Sequence, residues 1–358
     1  MNTVTVALGR RNYKIFIGRD LLARLEEFLP RELSSRCLVV TDDNVDPIYG
    51  QRLINVLKSL GFRPAKVVVP AGEASKSLAG AEALYDRAFE HGLDRRSPII
   101  ALGGGVVGDL AGFIAATYMR GVPFIQIPTT LLAQVDSSVG GKVAVNHPRG
   151  KNIIGAFYQP SAVISDLSLL DTLPVREMRS GMAEVIKYGV IWDDAFFQYL
   201  ESNLDAAMGL DSRVMQAVVA RCCEIKAGIV AEDERESGLR AILNYGHTIG
   251  HAVESLGGYH LKNHGEAVAV GMVMEAVLAR QMGQLDVKEL ERLMALIQKV
   301  PLDISLPGEW HKQQAIELMR QDKKAVGNEM FFVLPECIGR VHIKKVSDQQ
   351  LDDLLPVE

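Results

Sequence analysis

The fold of the first half of the chain is constrained most strongly by a regular alternation of short apolar runs with segments of helical periodicity. The apolar runs end in turn residues, and most lead into a helix-like segment, at CLVV, AKVVV, PIIAL and PFIQI. This alternation is typical of parallel strands that are buried between helices on both faces of a sheet. Two earlier runs, TVTV and YKIFI, alternate in polarity and predict a hairpin.

The pattern changes near residue 171, after which helical periodicity dominates until the runs FFVLPE and VHIKKV near the carboxyl terminus. We therefore predict two domains. Residues 1–170 form an α/β domain with a mostly parallel sheet, and residues 171–358 form a mainly α-helical domain. Ligands of such a fold are expected in the crevice at the carboxyl ends of the parallel strands.

Charge and composition exclude several classes of protein. The net charge of −5 argues against a broad nucleic-acid or membrane-surface role. No apolar run is long enough to span a bilayer, and the first ten residues lack the features of a secretory signal. The four cysteines show no CxxC spacing, which is typical of reduced thiols in the cytosol. We expect a cytoplasmic protein with a small-molecule ligand.

A glycine-rich turn between a predicted strand and a predicted helix contains Gly103, Gly105 and Gly108. Glycines let the backbone approach a pyrophosphate, and the helix amino terminus offers free N–H groups, although a tight packing turn has the same pattern. Asp42 ends an earlier strand and is the candidate for the ribose of a dinucleotide. Polar residues after neighbouring strands support the same site, namely those of AGEASK (71–76), Thr129, Thr130, Asp136 and Lys142.

Four candidate metal ligands lie in the predicted helical domain: Glu184, His247, His251 and His264. A catalytic zinc ion is commonly held by two histidines and a carboxylate, with one position open. The spacing of His247 and His251 places both rings on one face of a helix and favours them as ligands. Alternatively, one of the pair binds the metal and the other transfers protons. The spacing leaves both interpretations open.

Basic residues are scattered among glycines and small residues near these segments. They suit a substrate with phosphate and carboxylate groups, although charged residues more often form a solvated face. The candidates are Arg120, Lys142, Lys151, Lys187, Lys226, Arg240, Lys323 and Lys324.

Long blocks of the sequence resemble the 3-dehydroquinate synthase family, which makes 3-dehydroquinate in the shikimate pathway. The blocks are GGGVVGDLAGF, IPTTLLAQVDSSVGGKVAVN, GKNIIGAFYQP, GMAEVIKYG, NYGHTIGHAVE and HGEAVAVGM. The resemblance implies a fold shared with glycerol dehydrogenases and iron-type alcohol dehydrogenases, an NAD cofactor, a Zn²⁺ or Co²⁺ ion and a homodimer. The implied substrate is a phosphorylated sugar acid, 3-deoxy-D-arabino-heptulosonate 7-phosphate. It is converted by oxidation at C5, phosphate elimination, re-reduction, ring opening and aldol closure.

The resemblance also implies roles for individual residues. The metal ligands would be Glu184, His247 and His264. The catalytic residues would be Lys142, Asn152, Lys187, Arg240, His251 and Arg120, of which Arg120 would reach into the partner subunit. The substrate contacts would be Asp136, Lys142, Asn152, Lys187, Lys226, Arg240, Asn244, His251 and one of Lys323 and Lys324, here taken as Lys324. The NAD contacts would be Asp42, Ala71, Gly72, Glu73, Ala74, Ser75, Lys76, Gly105, Val106, Val107, Gly108, Asp109, Thr129, Thr130, Asp136, Lys142, Lys151, Leu169, Leu170, Asp171 and Thr172.

Three other functions stay open at this point. Another sugar phosphate cyclase would act on a different phosphosugar. A metal- and NAD-dependent polyol dehydrogenase would release NADH. A nucleotide-binding regulatory protein would bind NAD without depending on a metal.

Overall fold

The structure is a computed structural model of the 358-residue chain and describes residues 1–257, 261–306, 310–322 and 330–354. The chain divides into two compact units. The first unit contains Met1–Pro174 and Ser212–Arg235, and the second contains Val175–Asp211 and Glu236–Glu358. The segment Ser212–Arg235 thus joins the first unit, although it lies within the predicted second domain.

The described residues contain the following elements. The strands are β1 (Asn2–Val6), β2 (Tyr13–Gly18), β3 (Arg36–Asp42), β4 (Arg63–Val69), β5 (Ile99–Gly103), β6 (Phe124–Pro128), β7 (Lys142–His147), β8 (Gly150–Phe157), β9 (Ala162–Asp166), β10 (Met330–Cys337) and β11 (Arg340–Val346). The helices are α1 (Gln51–Ser59), α2 (Leu78–Glu90), α3 (Gly105–Thr117), α4 (Val175–Trp192), α5 (Asp194–Met208), α6 (Ser212–Glu232), α7 (His247–Leu256), α8 (His264–Gln281), α9 (Val287–Lys299), α10 (Lys312–Asp322) and α11 (Asp348–Leu354).

A seven-stranded sheet organises the first unit, with the order β1-β2-β9-β6-β5-β3-β4. The β1–β2 pair is the predicted antiparallel hairpin, and the remaining neighbours are parallel. The predicted mostly parallel sheet is therefore confirmed. Because six strands run in the same direction, the segments that follow β3, β4, β5, β6 and β9 all begin at one edge of the sheet.

The sheet is buried on both faces. Leu38 and Val40 of β3 belong to a hydrophobic cluster that includes residues of α2 and α3. Val39, between them, belongs to a second cluster, with residues of α1. Successive side chains of a strand point to opposite faces, so a continuous apolar run is what a strand between two helical layers requires.

Two features of the first unit have no clear signal in the sequence pattern. The segment GKVAVNHPRGKNIIGAF forms the antiparallel hairpin β7–β8. Helix α6 has the predicted periodicity but packs in the first unit, against β1 and the turn Ala133–Ser137. Periodicity shows that one face of a helix is apolar, but it does not show which element covers that face.

The second unit is mainly helical, as predicted, and contains α4, α5 and α7–α11. The late apolar runs form the antiparallel pair β10–β11. Helix α8 packs against both α4 and α7, and these three helices carry the candidate metal ligands. Among the described residues, every helix is too short or too polar to cross a bilayer.

Candidate active site

The acidic candidate ligand of the second unit lies in the middle of α4. Glu184 and Lys187 are each only 1% exposed. They are three residues apart on one helix face, where Lys187 Nζ forms an ion pair with Glu184 Oε2. Two buried charges are tolerated when they pair. The other oxygen, Oε1, faces two histidines.

The first histidine begins α7, after a turn that only glycine accommodates. Gly246 has φ +78°, and a Cβ atom there would lie 2.6 Å from Met272 Cγ and 2.8 Å from Val268 O. The N–H of Gly246 donates to Glu275 Oε2 at 2.7 Å. These contacts hold the start of α7 against α8 and determine the position of His247.

The ring of His247 has a defined orientation. Its Nδ1 lies 3.1 Å from the carbonyl oxygen of Tyr245, which can only accept a hydrogen bond. Nδ1 therefore carries the proton, and Nε2 is unprotonated. Nε2 lies 3.5 Å from Glu184 Oε1. A backbone carbonyl that holds the second nitrogen is a common support for a metal-binding histidine.

The second histidine is the first residue of α8. Asn263 and Glu266 form a capping box at this helix start, with bonds of 2.9 and 3.0 Å. Arg176 donates two hydrogen bonds to Glu266, and the N–H of Gly265 donates to Ser180 Oγ at 3.0 Å. The first turn of α8 is thereby attached to α4, which carries Glu184.

His264 lies between two carboxylates. Its Nε2 is 3.5 Å from Glu184 Oε1, and its Nδ1 is 3.4 Å from Glu254 Oε2. The arrangement parallels that of His247, because each ring turns Nε2 toward Glu184 and has an acceptor at Nδ1. Glu254 lies on α7, three residues after His251.

The donor set of Glu184, His247 and His264 fits a divalent metal ion. Their ligand atoms all lie within 4.8 Å of one another. Ligand atoms about 2.1 Å from a tetrahedral zinc ion are about 3.4 Å apart, which is close to both 3.5 Å separations around Glu184 Oε1. Two imidazoles and a carboxylate are also a usual set for catalytic zinc. A second group, His251, Glu254 and His264, satisfies the same distance criterion.

The electrostatic surroundings differ between the two histidines. Burial, followed by the nearby Lys187, lowers the pKa of His247 to about 3, so this ring is neutral. Burial also acts to lower the pKa of His264, but hydrogen bonds with Glu184 and Glu254 outweigh it and raise that pKa to about 10. Without a metal ion, His264 therefore carries a proton at neutral pH, and a metal must displace it to bind Nε2.

His251 lies close to both candidate ligands. Its ring centroid is 5.5 Å from that of His247 and 6.3 Å from that of His264. Arg240 and Asn244 precede α7 in the short helix Leu239–Asn244, where Arg240 is buried and Asn244 donates to Glu236 Oε1 at 2.9 Å. Of the implied substrate residues, Lys324 lies outside the described residues, as does Lys323.

In the first unit, the predicted NAD residues follow the parallel strands at the edge described above. Asp42 ends β3, where its Oδ1 accepts the N–H groups of Asn44 and Val45 at 2.9 Å. The remaining segments follow β4, β5, β6 and β9: they are 71–76, the start of α3 at Gly105–Asp109, Thr129 with Thr130, and the turn Leu167–Thr172. Tertiary structure thus brings together residues more than a hundred positions apart.

A buried ion pair joins two of these segments. Lys76 is 4% exposed, and its Nζ lies 2.7 Å from Asp109 Oδ2 and 3.5 Å from Glu73 Oε1. Burial acts to lower the pKa of Lys76, but the two carboxylates outweigh it and raise that pKa. Lys76 is therefore a fixed cation, and it holds the 71–76 segment beside the first turns of α3.

The remaining residues of the first unit to which the resemblance gives a role lie on α6, in the turns after α3 and β6, and on the β7–β8 hairpin. Lys226 Nζ is 2.9 Å from Asp136 Oδ1 and donates to the Asp136 carbonyl at 2.8 Å. Lys142 begins β7, while Lys151 and Asn152 lie in β8. Arg120 lies in the turn after α3 at φ +66°.

Comparison with known proteins decides the family. The family model described as "3-dehydroquinate synthase N-terminal" matches residues 66–180, and "3-dehydroquinate synthase C-terminal" matches residues 181–325. The chain belongs to the 3-dehydroquinate synthase family. It is 55% identical to the 3-dehydroquinate synthase of Desulforamulus reducens over 358 residues, which cover 100% of this chain and 99% of the relative.

Solved structures agree with this family and its fold. A 2-deoxy-scyllo-inosose synthase complexed with carbaglucose-6-phosphate, NAD⁺ and Co²⁺ has a TM-score of 0.89 at 26% identity, covering 98% of each chain. A 2-epi-5-epi-valiolone synthase from Streptomyces hygroscopicus subsp. jinggangensis, with NAD⁺ and Zn²⁺ bound, has a TM-score of 0.87 at 27% identity, covering 97% of each chain. A glycerol dehydrogenase from Schizosaccharomyces pombe has a TM-score of 0.69 at 20% identity, and the match covers 95% of this chain and 87% of the dehydrogenase chain. At this identity the match shows a shared fold alone. The dehydroquinate synthase-like fold and its likeness to dehydrogenases are confirmed.

The sequence patterns did not single out two carboxylates that lie near the candidate metal ligands of this 3-dehydroquinate synthase family member. Glu254 lies within the quoted motif NYGHTIGHAVE, and its position one helical turn after His251 was an available signal. Glu275 has no local signal, because its contact with Gly246 joins residues 29 positions apart. Both are buried or nearly buried carboxylates that support the start of α7 or α8.

Proposed function

We propose that this chain catalyses the conversion of 3-deoxy-D-arabino-heptulosonate 7-phosphate to 3-dehydroquinate and phosphate, as a phosphate-eliminating carbon–oxygen lyase. The observation that carries this proposal is its identity to a 3-dehydroquinate synthase along the whole length of both chains. The reaction oxidises C5 of the sugar transiently, eliminates phosphate, reduces C5 again, opens the ring and closes a carbocycle by aldol addition. NAD and a Zn²⁺ or Co²⁺ ion are its cofactors, in line with the ligands of two structural relatives.

When bound by Glu184, His247 and His264, the metal ion supplies a Lewis acid for the substrate hydroxyl groups, and NAD supplies the hydride acceptor. The protein contributes the orientation of its ligand atoms. Tyr245 O and Glu254 hold the two imidazoles so that Nε2 of each faces Glu184. A site built in this way is preorganised before the substrate arrives.

Cationic groups of the second unit suit the negative charges of the substrate. Lys187 lies beside Glu184, and Arg240 lies on the short helix that leads into α7. We assign both to the orientation of the substrate carboxylate and phosphate groups. His251 is assigned to proton transfer, because its ring lies beside the rings of His247 and His264 without belonging to the proposed ligand set of Glu184, His247 and His264.

The first unit supplies further polar groups under the same proposal. We assign Lys142, Asn152 and Arg120 to the leaving phosphate, and Asp136 with Lys226 to the substrate hydroxyl groups. The Lys226–Asp136 pair fixes both side chains before any ligand binds, which reduces the entropy lost on binding. The residues implied to contact NAD keep that assignment, because all but Lys142 and Lys151 follow neighbouring parallel strands at the edge where such folds bind dinucleotides.

A phosphate-release assay tests the proposal. With the heptulosonate phosphate, metal ion and catalytic amounts of NAD, we expect many phosphates released per NAD and no build-up of NADH. Steady accumulation of NADH would instead identify a polyol dehydrogenase. A panel of phosphosugars separates the remaining candidate, since another cyclase would lose the preference for the carboxylated sugar. The homodimer, the role of Arg120 across it and the cytoplasmic location stay predictions.

A further inference from the structure

Asn146, at the end of β7, connects two segments that the proposed function gives to different ligands. Its side-chain Nδ2 donates to Glu73 Oε1 at 2.8 Å. Its Oδ1 accepts the backbone N–H of Asn152 at 2.9 Å. Glu73 belongs to the segment assigned to NAD, and Asn152 is assigned to the substrate phosphate. A single carboxamide therefore bridges the two.

The backbone of Asn146 strengthens the connection. Its N–H donates to the carbonyl oxygen of Lys76 at 2.7 Å, and Ser77 pairs with it as an isolated parallel bridge. Lys76 in turn forms the buried ion pair with Asp109 at the start of α3. Asn146 is thus anchored to the part of the 71–76 segment that carries the buried ion pair.

The Asn146 side chain donates one of these hydrogen bonds and accepts the other. A carboxylate such as that of Glu73 can only accept, and a backbone N–H such as that of Asn152 can only donate. The amide of Asn146 satisfies both at once. An aspartate at this position would keep the bond from Asn152 but would set a carboxylate against Glu73.

Asn152 needs such support. It adopts φ +56°, in the left-handed region that asparagine enters more readily than most residues but still at a cost. Its N–H is held by Asn146 Oδ1 in this conformation. A change at Glu73, such as the binding of NAD, can therefore act on the backbone of Asn152 through one side chain.

We propose that Asn146 is a positioning residue that couples the NAD segment to the phosphate segment, so that bound NAD orders Asn152 for the substrate. This inference rests on the proposed function. It adds that substrate affinity depends on NAD through a residue that touches neither ligand. The coupling is reciprocal, since a ligand that stabilises one segment must favour the binding of the other by the same factor.

Asn146→Asp is the primary test. Asn55→Asp is the matched control, because Asn55 is exposed on α1 and its side chain accepts a hydrogen bond from Gln51 of the same helix. The Kd of NAD is measured by calorimetry, and KM and kcat by phosphate release. We expect at least about a tenfold rise in KM for the heptulosonate phosphate and in the Kd of NAD, because the hydrogen bond to the charged Glu73 is lost and a second carboxylate is set against it. We expect kcat to change by less than about threefold, and Asn55→Asp to match the wild type.

A second variant exchanges the donor and the acceptor of the hydrogen bond between residues 146 and 73. In Asn146→Asp combined with Glu73→Gln, the glutamine amide can donate to the new carboxylate while the Asn152 bond is kept. Glu73→Gln is also measured alone, because Glu73 is itself an assigned NAD contact. We expect Asn146→Asp to raise KM by less than about threefold in the Glu73→Gln background, against about tenfold in the wild type. If Asn146→Asp does not fold, Asn146→Ala is measured for the same two constants, with the same direction of change expected.

The outcomes separate the inference from the proposed function. Wild-type protein that fails to bind NAD or to release phosphate contradicts the proposed function itself. Wild-type activity together with constants of Asn146→Asp, or of Asn146→Ala, equal to those of Asn55→Asp overturns the inference alone. Equal effects of Asn146→Asp in the wild type and in the Glu73→Gln background also overturn it, because the Glu73 contact would then carry no coupling.

Discussion

The Nδ1 atom of His264 lies 3.4 Å from Glu254 Oε2, while Nε2 of the same ring faces Glu184 Oε1 at 3.5 Å. The imidazole is therefore held from both sides by carboxylates that come from two different helices. A carboxylate behind a ligating histidine orients the ring and makes it more basic. Glu254 should for this reason affect metal binding without touching the metal.

We predict that Glu254→Gln weakens Zn²⁺ binding by about tenfold, because the neutral amide supports the ring less strongly than a carboxylate. The Kd is measured by competition with a chromogenic chelator, independently of turnover. Glu291→Gln, an exposed position on α9, removes the same charge and should leave the Kd unchanged. Equal affinities of the two variants would show that Glu254 gives the ring no support.

The two overlapping groups of possible ligands lead to opposite predictions for His247 and His251. If Glu184, His247 and His264 bind the metal, His247→Ala should weaken Zn²⁺ binding at least about a hundredfold. His251→Ala should weaken it by less than about tenfold while lowering phosphate release. His264→Ala should resemble His247→Ala, because His264 belongs to both groups. A larger loss for His251→Ala than for His247→Ala would place the metal in the other group.

Gly271 is predicted to be indispensable for the close packing of α8 on the start of α7. A Cβ atom there would lie 1.9 Å from the carbonyl oxygen of Gly246. Gly271→Ala should lower the free energy of unfolding by about 1–3 kcal/mol or more, because backbone and not a flexible side chain must move. It should also weaken metal binding, since His247 follows Gly246 directly.

The control for Gly271→Ala is Gly228→Ala on α6, where a Cβ atom meets nothing within 4 Å. Alanine at an unobstructed helical position should raise the free energy of unfolding by up to about 1 kcal/mol. Urea unfolding measures both variants. The same sign of change in the two would contradict the packing argument.

The pair of Lys262 and Asp303 predicts a dependence of stability on pH. Hydrogen bonds from Lys262 and Ser305 lower the pKa of Asp303 from 3.8 to about 2. The charged carboxylate therefore stabilises the folded chain above pH 3.8, and this contribution is lost as the pH falls toward 2. Asp303→Asn should unfold at lower urea than wild type at pH 5–7, and the difference should shrink below about pH 4. A constant difference down to pH 3 would contradict this assignment.

Much of the fold followed from local patterns in the sequence. The continuous apolar runs predict strands that are covered on both faces, and the change of period near residue 171 predicts the helical second unit. Both features depend on which side chains are apolar at which spacing, and this information is local. The local pattern could not predict that α6 belongs to the first unit, because its apolar face could be buried against either unit.

For the site, the sequence alone determined the chemical types: a carboxylate and imidazoles for a metal, glycines for the turns, and cations for a charged substrate. Spacing placed His247 and His251 on one helix face but left open which ring binds a metal. Tertiary structure decided which rings face the buried carboxylate, because the packing of α7 and α8 on α4 turns Nε2 of His247 and His264 toward Glu184. Such an orientation depends on contacts between residues far apart in the chain, and helical periodicity contains no information about them.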